Sequence, residues 1–214
     1  MASTRSERSS PILETLALFA VVFVLQQVAA ILDVALAASL FVLTPPLTHD
    51  PWAVVTSVYA HENLGHLVSN SVALVLFGWP VARATTRLRF HAFFVLTGAL
   101  AGVSQIALPA ALASLPFISA PAVGVLGASG AVFALMGYLL AGNRFSSGLA
   151  SIVEVPRWLA WLAFLGLAAL VTVMTAAPGV ALIAHFTGFL LGLLAGRARL
   201  LHVGSSPTAT RSTA

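Results

Sequence analysis

Apolar runs near the roughly 20 residues needed to cross a bilayer recur along this chain, and breaks carrying proline, glycine or arginine separate them. Six runs are read: Ile12–Leu32, Leu64–Ala82, His91–Leu108, Val123–Gly142, Trp158–Ala176 and Val180–Ala195. Charged residues make up 7 % of the chain and hydrophobic ones 59 %, against about 25 % charged in a soluble domain. So little polar surface cannot cover a water-soluble particle, and lipid is the expected solvent for most of the chain. The first run is longer than a signal-peptide core and lacks a clear small-x-small end, so it is read as a retained helix. The expected organisation is a cytoplasmic segment 1–11, a membrane domain 12–197 and a flexible tail 198–214.

The ten basic residues are all arginines, and the net charge is +4. They do not cluster on one helix or in one tail, so they report topology and not a nucleic-acid partner. With the N-terminus inside and six spans, Arg5, Arg8, Arg83, Arg87, Arg89, Arg144, Arg157, Arg197, Arg199 and Arg211 all fall on the cytoplasmic side. Shifting the count by one span destroys that pattern. The expectation is a multi-pass protein of the plasma membrane with both termini cytoplasmic. The absence of cysteine excludes disulfides, thiolate chemistry and Cys-based metal sites. Between the first two spans, Val34–Leu43 is too short to cross and reads as part of a membrane-embedded first loop, with Trp52 and Tyr59 at headgroup level.

Four polar residues stand where lipid would exclude them: His66 and Asn70 in the second run, Ser129 in the fourth and His185 in the sixth. These runs descend from outside to inside. Asn70 stands 13 residues before Arg83, His66 17 before it, Ser129 15 before Arg144 and His185 12 before Arg197. At 1.5 Å per residue all four fall in one layer, roughly 18–26 Å above the inner boundary. His66 and Asn70 are four apart and share a helix face. Ala184, Gly188, Gly192 and Gly196 form a small-residue stripe, and Gly127, Gly130, Ala134 and Gly137 offer a partner for it. Close approach of those two helices brings the Ser129 hydroxyl within reach of the His185 imidazole, as an activated serine requires.

Taken singly, each residue has a structural reading. A serine back-bonds to its own helix, an intramembrane histidine packs or handles protons, an asparagine glues helices, and a glycine stripe only packs. Glu62 reads as an interfacial charge, and His49, His91 and His202 as solvated. The coincidence of depth and face favours a site.

The run Gly127-Ala128-Ser129-Gly130 resembles the GxSG motif of rhomboid proteases. The stretch from Ala184 to Gly192 resembles that family's AHxxGxxxG, and the stretch from His61 to Asn70 its HxxxxHxxxN. Three motifs in order, on alternate helices, cover about residues 12–197. The resemblance implies an all-α, six-transmembrane-helix bundle and an intramembrane serine endopeptidase with no cofactor and no metal. It implies a Ser129–His185 dyad and an oxyanion hole from His66, Asn70 and the Ser129 backbone N–H. Gly127, Gly130, Phe133, Gly188 and His61 are the supporting motif positions. The implied substrates are single-span membrane proteins, cut near the outer face. Two positions depart from the family. Phe133 stands where a tyrosine is frequent under the histidine ring, and Ala53 where an arginine follows the loop tryptophan. The alternatives are an inactive rhomboid-like protein that binds membrane helices, and a small proton or ion transporter using Glu62, His66 and His185.

Overall fold

The computed structural model describes residues 10–113, 124–142, 157–176 and 179–202. Arg5, Arg8, Arg144 and Arg211, most of the Pro109–Pro121 break, all of the Asn143–Pro156 break, Pro178 and the tail beyond residue 202 lie outside the described residues. Among the described residues the fold is all-helical, with one isolated antiparallel bridge between Leu43 and Val125.

Helix α1 spans Pro11–Leu32, with proline in its first turn, where the missing N–H costs nothing. Asp33 ends it and caps α2, Val34–Phe41, its carboxylate accepting from the Ala35 N–H at 2.7 Å. A short α3, Ala53–Thr56, lies in the same loop. Helix α4 spans Leu64–Ala73 and runs through a π turn, Leu74–Gly78, into α5, Trp79–Ala84. Pro80 explains the wide turn, because its ring collides with the carbonyl four residues back in a regular helix. Helix α6 spans Arg87–Ala111, α7 Ser129–Gly142, α8 Arg157–Met174 and α9 Leu182–Arg197.

Among the described residues, three continuous helical stretches are long and apolar enough to cross a membrane: Pro11–Leu32, Leu64–Ala84 and Arg87–Ala111. Their outward faces are greasy; on α1, Leu13, Val21, Val24, Val28 and Ile31 are all exposed. The expected start of the fourth run at Val123 is corrected, because α7 begins only at Ser129 and has 14 residues. Its length, roughly 21 Å, falls short of the hydrocarbon thickness. It sits at the centre of the bundle, with Gly130, Ala131, Val132, Ala134, Leu135, Gly137 and Tyr138 buried. A helix that stops short in the membrane needs protein or a wet cavity at its ends, and a cavity lined by Ser129 lies at the N-terminal end of α7.

The tightest packing joins α7 to α9. A methyl group on Gly188 would strike the Gly130 backbone, one on Gly192 the Ala134 backbone, and one on Gly196 the Tyr138 backbone. The small-residue stripe expected on the last helix therefore works as a backbone-to-backbone seam. Gly127 is not part of it and meets His66 instead. Helix α8 joins the bundle principally through α9.

The partly buried Tyr59 ring packs inside the bundle, 6.2 Å from the ring of Phe19 and 6.1 Å from that of Phe94. One side chain sits otherwise than expected. His91, read as solvated, is partly buried, with Nε2 2.8 Å from the Glu14 carboxylate, which also holds Arg87 Nε at 2.7 Å. These contacts tie the start of α1 to the first turns of α6.

Gly192→Ala is expected to destabilise the fold by about 1–3 kcal/mol, because the seam cannot widen without losing its other contacts. Gly166→Ala in α8, with nothing within 4 Å of the added methyl, is expected to be neutral or to stabilise by up to about 1 kcal/mol. Thermal unfolding in one detergent compares the pair, and equal effects would contradict the seam.

Candidate active site

The segment before α7 decides where Ser129 stands. Residues 124–127 run extended and are held from the first loop. Leu43 and Val125 exchange backbone hydrogen bonds at 2.9 Å each way, and the Gly127 N–H donates to the Ser57 carbonyl at 2.9 Å. That loop is itself anchored without an arginine at position 53. The Trp52 indole N–H donates to the Ser39 carbonyl at 2.9 Å, and the Thr56 hydroxyl donates to Leu40. The chain then turns at Gly127, whose φ of 130° suits glycine alone. A side chain there would also meet the His66 ring, at 2.8 Å from Cε1 and 3.0 Å from Nε2. Gly127 is thus required twice over, by its backbone and by the imidazole laid against it.

Ser129 is the first residue of α7. The opening N–H groups of a helix have no intrahelical acceptor and form its positive end. Val132 is satisfied by the Ala128 carbonyl at 3.0 Å, which leaves the first-turn N–H groups ahead of it as donors beside the serine. One turn below Ser129, the Phe133 ring stacks on the His185 imidazole at 4.2 Å between centroids and 23° between planes. The aromatic face under the histidine is therefore kept although the tyrosine hydroxyl is absent.

His66 and Asn70 come from α4, whose N-cap Asn63 accepts from the His66 N–H at 2.9 Å. The buried Asn70 amide donates to the His66 carbonyl at 3.1 Å, leaving its second N–H free to donate elsewhere. Ser129, His185, His66 and Asn70 all line one cavity of about 1320 Å³, which reaches from α4 past α7 to α8. Glu62, exposed ahead of α4, lines the same space. Among the described residues, Ser129 Oγ and His185 make no direct hydrogen bond. Catalytic contacts are commonly long without substrate and tighten when it binds.

His61, one of the supporting motif positions, does not reach the cavity. It is fully buried in the loop ahead of α4. Its ring meets Phe19 at 4.8 Å and His66 at 5.3 Å, edge to face, so it backs the His66 imidazole. Burial, and secondarily the neighbouring His66, pushes its pKa down to about 4, which keeps it neutral at physiological pH.

A protein-family model, the Rhomboid domain, matches residues 48–201. The chain belongs to the rhomboid family. No curated protein gives a significant match to it. As a rhomboid protein it is an integral membrane protein, consistent with its apolar helices.

Two side chains that pattern reading passed over also shape the rhomboid site. Gln105 of α6 accepts the Ala184 N–H at 3.1 Å, capping α9 from a neighbouring helix just before His185. The Thr175 hydroxyl lies 3.4 Å from His185 Nδ1. Neither sits in a spaced motif, so only their polarity inside apolar runs could have marked them.

Gly127→Ala is expected to displace His66 and strain the turn. The fold should lose about 1 kcal/mol or more, and any activity at Ser129 should fall further than that of Gly124→Ala. Parallel unfolding curves and active-site labelling of the two variants check this.

Proposed function

We propose that this rhomboid protein is an intramembrane serine endopeptidase that uses a Ser129–His185 dyad to cut transmembrane helices near the outer face of the membrane. The observation that carries the reading is the shared cavity. Ser129 opens α7, His185 stacks one turn below it on Phe133, and both face the same space as His66 and Asn70. We read the chain as six spans with both termini cytoplasmic, in the plasma membrane, because that arrangement puts every arginine on the inner side.

In this reading His185 takes the proton of Ser129 as Oγ attacks the peptide carbonyl carbon. The oxyanion that forms is met by the free N–H groups at the start of α7 and by the side chains of His66 and Asn70. As the C–N bond breaks, His185 returns the proton to the leaving amine. Water then attacks the Ser129 ester, again losing its proton to His185, and the serine is regenerated. The cavity supplies a path for that water, and polar groups at membrane depth are tolerated where they line one. A substrate helix must unwind locally to expose a peptide bond, so helix-breaking or small residues near the outer boundary favour cleavage.

Ser129→Ala and His185→Ala should each abolish cleavage of a single-span substrate and labelling by a fluorophosphonate, with unfolding curves unchanged. His66→Ala and Asn70→Ala should lower the rate by about 10²–10³ with smaller effects on KM. A wild-type protein that is never labelled would leave an inactive helix-binding member. Ion flux in liposomes that survives Ser129→Ala would point to transport.

A further inference from the structure

A two-residue dyad leaves one question open, namely what holds the histidine in the tautomer that can accept a proton. Serine activation needs Nε2 unprotonated and facing the hydroxyl, which requires the ring proton on Nδ1. In this chain the tyrosine hydroxyl frequent under the ring is missing, since Phe133 stands there. The Phe133 face sets the plane of the imidazole and says nothing about its proton.

We propose that Thr175, at the end of α8, is a positioning residue that holds His185 in the Nδ1–H tautomer. This inference rests on the dyad reading for its catalytic meaning, although the contact itself does not depend on activity. The Thr175 hydroxyl lies 3.4 Å from His185 Nδ1. The same oxygen lies 3.0 Å from the Val171 carbonyl and 3.1 Å from the Thr172 carbonyl. A hydroxyl has one proton to give and two lone pairs to receive with. Both carbonyl oxygens can only accept and lie nearer the hydroxyl than Nδ1 does, which favours giving the threonine proton to one of them. What the oxygen then offers His185 is a lone pair, and the partner that satisfies it is an Nδ1–H. Nε2 keeps its lone pair for the serine proton.

The geometry around the pair is consistent with this assignment. Thr175 follows α8 directly, its N–H still donating to the Val171 carbonyl at 3.1 Å, so the hydroxyl is carried by the helix end and not by a free loop. His185 is nine-tenths buried, with 8 % of its surface exposed, and sits in the first turn of α9. Thr175 lines the same cavity as Ser129. A distance of 3.4 Å is at the long end for a hydrogen bond, and such contacts tighten when the imidazole gains positive charge. The charge that develops on His185 during proton transfer therefore strengthens its bond to Thr175, so the threonine favours the transition state over the ground state.

The test uses the full-length protein in detergent micelles, labelled with 15N-histidine, at an alkaline pH where imidazoles are neutral. The His185 signals are assigned by their loss in His185→Gln. Wild type and Thr175→Ser should show His185 with the proton on Nδ1. Thr175→Val, which keeps the shape and removes the oxygen, should shift the ring to a mixture of tautomers. In parallel, Thr175→Val should slow fluorophosphonate labelling and kcat by about three- to tenfold with KM unchanged, and Thr175→Ser should restore both. A His185 tautomer that is the same in wild type and Thr175→Val overturns the inference, as does a valine variant that labels at the wild-type rate. If a folded wild type is never labelled, the protease reading fails, and the tautomer comparison still decides the Thr175 contact.

Discussion

The seam between α7 and α9 is the interaction on which the rest of the molecule depends. In lipid, burying apolar side chains gains little, because the tails outside are as apolar as leucine, and helices associate mainly through close van der Waals packing. Gly188, Gly192 and Gly196 let the backbone of α9 approach Gly130, Ala134 and Tyr138 directly. That approach sets the height of His185 against Ser129 and brings the Phe133 ring flat against the imidazole. It also brings in α8, which joins the bundle principally through α9 and carries Thr175 to the histidine.

A second constraint acts at the other end of α7. The helix starts where it does because the chain ahead of it is held extended by the first loop and turned at Gly127. If α7 began at Val123, as the apolar pattern alone implies, Ser129 would lie within the helix and its neighbours' N–H groups would be spent on intrahelical bonds. Starting at Ser129 leaves those groups free and points the positive end of the helix at the cavity. The first loop, which contributes no residue to the proposed chemistry, is therefore what makes the helix start an anion-stabilising one. Gly127 links this arrangement to α4, because the space its missing side chain leaves is filled by the His66 ring.

The histidines show how burial separates roles that sequence treats alike. His66 and His185 reach the cavity, whereas His61 is shut away behind Phe19 and His66 with neither ring nitrogen paired among the described residues. His91 faces a carboxylate at the start of α1. All four are single histidines in or beside apolar runs, and only packing distinguishes them.

What the sequence determined by itself follows from local chemistry and periodicity. The apolar runs, the proline and arginine breaks, the four-residue spacing of His66 and Asn70 and the glycine stripe of the last helix each reflect forces acting within one segment, and they marked the helices and four of the cavity-lining residues. The start of α7, the burial of His61, the ring contacts of Tyr59, the Glu14–His91 pair, the cap that Gln105 places on α9 and the approach of Thr175 to His185 were left to the tertiary structure. Each of these joins groups from segments far apart in the chain. A hydrogen bond or ring contact of that kind depends on the relative height and rotation of two helices, which no spacing within either one encodes.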